Sequence, residues 1–392
     1  MNILVLNAGS SSLKFQVIDT NTKEVLGSGN FERIGDAAQS FLGIKYDGNK
    51  EKFQLPANNH TEALGFIIEK LNELVLKGEK EINAVGHRIV HGGSKFIKPQ
   101  LVTEEVVNGL KDVIHLAPLH NPAAIAGIEA VNEILPGVKS VVCFDTGFHQ
   151  TMKETQYIYP IPYEYYEKYG IRKYGAHGIS HEYVSKRIAE IKGNNDLKVI
   201  NCHLGQGASL CAINKGVCVD TSMWFTPAAG IPMGSRTGDI DPSVITFIMK
   251  EENLTPEEMN VIINKESGKK GISMLSADDR DLEEAMANGN EHAKLALDIF
   301  HYKVAQYIAS YMVSLGGCDV ITFAGGIGER GNYSREEICK YLSCFGVKLD
   351  LEKNKVKAEE EKISADDSSI EVWVVPTNEE LMIALETEKL TK

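Results

Sequence analysis

Phosphate is held most readily by backbone N–H groups, where glycine or small residues let the chain come close. Four loops of that composition stand out: Asn7-Ala-Gly-Ser-Ser-Ser12, His203-Leu-Gly-Gln-Gly-Ala-Ser209, Gly234-Ser-Arg-Thr-Gly238 and Gly325-Gly-Ile-Gly-Glu-Arg-Gly331. None contains G-x-x-x-x-G-K-[ST], which excludes a Walker-type loop. His87-Arg88 is followed by Ile89, so the H-R-D loop of protein kinases is absent. Gly326-Ile-Gly328-Glu-Arg-Gly331 spells G-x-G-x-x-G between a strand and a helix, with Asp350 about 20 residues on. That spacing sits too late in the chain for the rest of a dinucleotide-binding half, and it leaves the earlier loops unexplained.

Charged and polar residues lie beside these loops. Lys14 follows the first, Arg88 follows a strand, His120 precedes Asn121-Pro122, and Asp145 ends the run Val141-Val-Cys-Phe144. His177 lies in Tyr174-Gly-Ala-His-Gly178, and Arg236 in the third loop. A single histidine or arginine is most often structural, but ligand clefts of open α/β sheets lie at the carboxyl ends of strands.

The elements that must position these groups alternate in type, which predicts an α/β fold. Apolar runs at residues 3–6, 82–85, 138–144, 199–202, 320–323 and 372–375 read as strands. Leu64, Ile67, Ile68, Leu71, Leu74 and Val75 follow helical spacing up to Gly78. Asn121 reads as a cap with Pro122 opening a helix, and a longer helix runs from about Ala293 to Leu315 before Gly316-Gly317. Strand, Gly/Ser loop and strand occur near residue 7 and again near residue 203, which suggests a duplicated domain with a cleft between the copies.

With 392 residues the chain should form two domains or three. Lys plus Arg total 41 and Asp plus Glu 54, so the net charge is 41 − 54 = −13. That balance argues against a nucleic-acid partner but leaves small anions open. Seven cysteines, none in a C-x-x-C pair, disfavour both a disulfide framework and a structural zinc site, and fit a reducing cytoplasm. The first apolar run is too short for a signal peptide or a membrane span, so no membrane association is expected.

Taken in order, the motifs resemble the acetate kinase family of the acetate and sugar kinase/Hsp70/actin superfamily. The resemblance runs from residue 2 to about 387. It rests on Asn7-Ala-Gly-Ser-Ser-Ser-Leu-Lys14, Gly86-His-Arg-Ile-Val-His-Gly-Gly93, Ala117-Pro-Leu-His-Asn-Pro122 and Phe144-Asp-Thr. Phe148-His-Gln-Thr151, Pro232-Met-Gly-Ser-Arg-Thr-Gly-Asp-Ile-Asp-Pro242, Gly325-Gly-Ile-Gly-Glu329 and Pro376-Thr-Asn-Glu-Glu380 complete it. The resemblance implies two duplicated ribonuclease-H-like, actin-like domains around a central cleft. They would be residues 1–148 and 149–378, with a helix of residues 379–392 returning to the first. It implies a cytoplasmic homodimer that passes the γ-phosphoryl group of ATP to acetate, giving acetyl phosphate and ADP.

By position, the resemblance gives Asn7 and Glu379 to Mg²⁺, with Mn²⁺ as a substitute, and Lys14, Ser10 and Ser12 to the nucleotide phosphates. Arg88 would bind the substrate carboxylate. Asp145 is the family's catalytic aspartate, His177 and Arg236 would stabilise the transferring group, and His120 would lie near the same centre. His203, Leu204, Gly205, Gln206 and Gly207 would hold ATP, with Asp278, Asp279, Arg280, Gly326, Ile327, Gly328, Glu329 and Arg330. Val90, Leu119, Ala176 and Pro227 would line the acyl pocket. A carboxylate substrate is already ionised near neutral pH and needs no general base, so Asp145 is expected to position Arg88, water or the metal instead.

This chain departs from the family at Gln206, where Asn is usual, at Ala176, where many members have Phe, and at Trp224 and Ala228-Ala229. These departures bear on nucleotide contacts and acyl length. The rival readings are a kinase of propionate or another short fatty acid, and an actin- or Hsp70-like ATPase switch. A switch would not need Arg88, His177 and Arg236. Trapping of an acyl phosphate separates enzyme from switch.

Overall fold

The computed structural model describes residues 1–392, and the chain divides into two compact units. One comprises residues 1–148 with 378–392, the other residues 149–377.

The first unit is built on an eight-stranded sheet of β1 (Asn2–Gly9), β2 (Ser12–Asp19), β3 (Glu24–Glu32), β4 (Phe41–Tyr46), β5 (Asn49–Gln54), β6 (Ala84–Ile89), β7 (Gln100–Leu101) and β8 (Lys139–Phe144). Their order in the sheet is β5-β4-β3-β2-β1-β6-β8-β7. β1 pairs antiparallel with β2 and parallel with β6, and β6 pairs parallel with β8. Ile3, Leu4, Val5 and Leu6 are all buried, as expected of a central strand covered on both faces. Alternation along β6 shows what covers it. Val85 joins the apolar cluster that includes Ala130 and Val131 of helix Asn121–Ile134. Its neighbour Gly86 must point to the other face. A Cβ there would lie 2.5 Å from Thr387 Oγ1 and 2.6 Å from Ile383 Cγ2, both on helix Glu379–Thr391. Gly86 is therefore what lets residues 379–391 lie flat on a sheet made at the other end of the chain.

The second unit repeats the plan with β9 (Lys198–Leu204), β10 (Ala208–Asn214), β11 (Val217–Thr221), β12 (Val320–Ala324), β13 (Glu361–Lys362) and β14 (Glu371–Val374). The order is β11-β10-β9-β12-β14-β13, with β9 antiparallel to β10 and parallel to β12, and β12 parallel to β14. Strands β3-β2-β1-β6-β8 and β11-β10-β9-β12-β14 thus share one topology, so the echo read in the sequence is a true duplication. It extends to an antiparallel edge strand, β7 on β8 and β13 on β14.

Three details differ from the sequence reading. Strands β3 to β5 were not foreseen, because their apolar residues are broken by glycines and lysines. The gap at Gly29 has a physical cause: a Cβ there would meet Gly43 O at 2.2 Å and the Phe15 ring at 2.5 Å. Helix His60–Lys70 passes into a π-helical turn, Leu71–Leu76, and ends at Lys77, whose φ of 52° is left-handed, one residue before Gly78. Asn121 lies inside its helix rather than capping it; His120 precedes the first turn, and the Asn121 amide donates to His91 O at 2.9 Å.

Candidate active site

Register alone gathers the first set of groups. Leu6 pairs with His87 and Arg88 with Cys143, so Asn7, Arg88 and Asp145 emerge together at the carboxyl ends of β1, β6 and β8. Arg88 Nε donates to Asp145 Oδ1 at 3.1 Å and Nη2 to Asp145 Oδ2 at 2.9 Å. Nη1 lies 3.0 Å from Glu379 Oε2, at the first residue of the helix that covers the sheet. Burial works against the Arg88 charge, but Asp145 and Glu379 outweigh it and hold the guanidinium firmly protonated. Burial raises the Glu379 carboxyl to about 7; Arg88 pulls it down while Asp145 and Glu380 push it up. The adjoining loop is tied to the same strands: Asp145 N donates to Ile89 O, and Gly92 N donates to Thr146 Oγ1 at 3.1 Å.

Ser10 and Ser12 sit at the hairpin between β1 and β2, where His60 Nε2 donates to Gly9 O at 2.8 Å. Asn7, Lys14 and Glu380 line one cavity of about 380 Å³ in this unit. The residues present suit a hard divalent cation. They offer oxygen donors, and Asp145, Glu379 and Glu380 set three carboxylates against the two cations Arg88 and Lys14. Val90 is partly exposed, His120 is exposed, and Leu119 is 72% exposed, so no core packing holds Leu119 in place.

In the second unit His177 opens helix Gly178–Lys192 in the left-handed region, with φ 56°. Its Nδ1 is 2.9 Å from Ser209 Oγ, which also lies 2.8 Å from His181 Nε2. His181 Nδ1 meets Asn201 Nδ2 at 2.8 Å, and Asn201 Oδ1 accepts from Thr322 Oγ1 at 2.8 Å. With the Asn201 amide assigned by this network, His181 carries its proton on Nε2 and gives it to Ser209. Ser209 then donates to His177 Nδ1, and a neutral His177 presents N–H at Nε2. Burial keeps His181 neutral by lowering it well below the ordinary histidine range. The His203 ring stacks on His177 with centroids 4.3 Å apart.

His177 and Arg236 converge on Gly207. A Cβ there would lie 3.5 Å from His177 Nε2 and 3.4 Å from Arg236 Nη1. Arg236 Nη1 contacts Pro227 O at 3.3 Å and Met233 Sδ at 3.6 Å, and no carboxylate pairs with it. Burial lowers its pKa with nothing to offset it. The structure therefore holds a half-buried, uncompensated cation beside a histidine N–H, both within van der Waals reach of Gly207 in the second glycine loop.

The three stretches assigned to nucleotide come together. Gly205, Gln206, Asp278, Asp279, Arg280, Gly326, Ile327 and Arg330 line one cavity of about 530 Å³. Sequence reasoning missed its other walls, Glu283, Asn332 and Lys357. Some side chains are committed elsewhere. Leu204 and Gly328 are buried. Glu329 Oε1 accepts from Gly325 N at 2.9 Å and Thr377 N at 3.1 Å, and Asp279 pairs with the buried Lys269. Gln206 reaches over Gly234, whose added Cβ would lie 2.2 Å from Oε1. Ala176 is only 5% exposed and belongs to the unit's apolar core, while its carbonyl accepts from His149 Nε2 at 2.9 Å. The Trp224 carbonyl accepts from Tyr174 N and Gly175 N, and its ring rests against Tyr159 and Lys173.

Two sheets of one topology, with a phosphate-type loop after the first strand of each, define an actin-like ATPase fold. The acetokinase family matches residues 2–385. An acetate kinase of Dictyoglomus turgidum is 52% identical over 395 residues, covering all of this chain and 98% of that protein. The crystal structure of Porphyromonas gingivalis acetate kinase superposes with a TM-score of 0.97 at 41% identity, covering all of both chains. A propionate kinase from Francisella tularensis gives 0.93 at 40% identity and 99% coverage of each. The chain belongs to the acetokinase family. It is a phosphotransferase with a carboxyl group as acceptor, using ATP/ADP and a divalent metal. No helix is long and apolar enough to cross a membrane.

Proposed function

We propose that this enzyme transfers the γ-phosphoryl group of ATP to acetate in line, reversibly, giving acetyl phosphate and ADP. The observation that carries the reading is Arg236: an unpaired guanidinium, desolvated and set beside the His177 N–H at Gly207, is arranged to receive an anion. Phosphoryl transfer asks chiefly for positioning and for positive charge around the equatorial oxygens.

Arg88 takes the substrate carboxylate. Its orientation is set by Asp145, which takes the Nε–Nη2 edge, and by Glu379, which faces the Nη1–Nη2 edge and leaves the outer N–H of Nη1 for the acid. Asp145 fixes that geometry and accepts no proton from the acid. His177 donates from Nε2 and Arg236 binds the transferring group, while the loop of residues 203–207, residues 278–280 and residues 326–330 enclose the nucleotide. Lys14, Ser10 and Ser12 meet its phosphates. Asn7 and Glu379 would hold the divalent cation, Mg²⁺ by its hard-oxygen chemistry and Mn²⁺ as a substitute. When bound, that ion neutralises charge on the β- and γ-phosphate oxygens. A cytoplasmic homodimer belongs to the same reading and rests on the family likeness.

The test is hydroxylamine trapping of acyl phosphate with acetate and ATP, by the wild type and by Arg236→Ala. ATP hydrolysis without trapped product would overturn the kinase reading. Propionate is the second reading, favoured by the Francisella tularensis propionate kinase at 40% identity. The ratio of kcat/KM for acetate and propionate separates the two.

A further inference from the structure

Behind His177, in the core of the second unit, lies a group of side chains that the transfer reaction does not use. His149 Nδ1 is 3.2 Å from Cys218 Sγ and 3.9 Å from Cys211 Sγ, and the two sulfurs are 3.4 Å apart. All three residues are buried, and both cysteines are free thiols.

The tautomer of His149 follows from a carbonyl, which can only accept. Its Nε2 lies 2.9 Å from Ala176 O, so Nε2 carries the proton and Nδ1 aims a lone pair at the two sulfurs. A ring nitrogen held to a backbone carbonyl, with the other nitrogen turned to neighbouring thiols, is the arrangement of a metal-ligating histidine.

The alternative use of two close thiols, a disulfide, fits the strands poorly. Cys211 pairs with Thr221 and Cys218 with Ile213, so the cysteines stand diagonally across β10 and β11. Diagonal Cα atoms are about 7–8 Å apart, beyond the 4.4–6.8 Å that a disulfide spans. A tetrahedral ion with metal–sulfur bonds of about 2.3 Å places its sulfurs about 3.8 Å apart, a few tenths of an ångström from the separation found.

The geometry points to a buried transition-metal site in which His149, Cys211 and Cys218 bind one Zn²⁺ per chain. Charge selects among thiophilic ions. Two thiolates and a neutral imidazole make Zn²⁺ electrically neutral in an apolar core, whereas Cu⁺ would leave one uncompensated negative charge. Binding displaces both thiol protons. Full burial means that the ion enters while the chain folds.

The test is expression in zinc-supplemented medium, gel filtration and elemental analysis of the full-length wild type, Cys211→Ala, Cys218→Ala and Cys344→Ala. Cys344 is exposed and serves as the control thiol. One Zn²⁺ per chain is expected in the wild type and in Cys344→Ala, with at least a tenfold loss in the other two. Should those two fail to fold, Co²⁺-loaded wild type still decides, since ligation by the cluster requires a thiolate-to-cobalt charge-transfer band. No retained zinc, retention unchanged in Cys211→Ala and Cys218→Ala, or no thiolate band would each overturn the site. Loading by Cu⁺ and not by Zn²⁺ would overturn its assignment to zinc.

Discussion

Arg88 and Asp145 meet edge on, two guanidinium nitrogens against two carboxylate oxygens, and this contact fixes where the remaining N–H groups of Arg88 point. Register supplies the rest, because both residues leave neighbouring parallel strands at the same level. The pair is an aiming device before it is anything chemical.

Asp145→Asn should therefore raise KM for the acid and lower kcat by about 100-fold, the order seen when a group that orients a catalytic contact is lost. Arg88→Lys should do no better than Arg88→Ala, since an ammonium cannot reproduce the fork. Steady-state kinetics over a pH range check both. An acidic-limb pKa of the enzyme that vanishes in Asp145→Asn would show that Asp145 acts as a base.

Arg236→Ala should lower kcat by about 100- to 1,000-fold, the usual cost of removing one stabilising donor from a developing anion. Its thermal midpoint should hold or rise, because the guanidinium has no carboxylate partner to lose. Calorimetry beside the kinetics tests this. A large loss of stability would show that Arg236 is a structural ion.

Ser209→Ala breaks the hydrogen-bonded file between His181 and His177. The buried His181 ring nitrogen and the partly buried His177 Nδ1 lose a partner, at about 1–3 kcal/mol of stability, and His177 no longer has its tautomer set. The expected result is a fall in kcat with little change in the KM for ATP. Nitrogen NMR of labelled histidine would show whether the His177 proton leaves Nε2.

Glu379 has a folded-state pKa raised to about 7 from 4.5. The folded protein then holds a proton that the unfolded chain has lost, so this group costs stability fully above about pH 7 and not at all below about 4.5. Relative to Glu379→Gln, the metal-free wild type should gain stability as the pH falls across that window. The difference in Tm between the two, followed from pH 8 to pH 5, is the measurement. A difference that does not move with pH would place the Glu379 carboxyl in its ordinary range.

The site was legible where chemistry sits at the end of a regular element. Arg88 and Asp145 follow apolar runs that could only be central strands, and glycine spacing marked the loops that line the cavity of the second unit. Ser209, His181 and Asn201 were not legible, because their use arises from hydrogen bonds between β9, β10 and a helix. Lys357 reaches its cavity from a segment without a motif, and Glu380 lines its cavity from the motif at residues 376–380, where only Glu379 had been given a role. His149, Cys211 and Cys218 escaped for a similar reason: metal-binding spacings assume ligands on one turn, whereas here two strands and a distant loop supply them. Strands β3 to β5 were hidden by the glycines that allow close packing.

Residues 379–391 cover a sheet whose strands end at residue 144, and Glu379 sits on Arg88. During synthesis the first unit therefore waits, with one face of β6 open, until the whole second unit has left the ribosome. A chain cut before residue 379 would lack both that cover and a proposed cation ligand at once. Completion of translation thus becomes a condition for activity, and a truncated product presents an apolar sheet face to chaperones and proteases rather than a working half-enzyme.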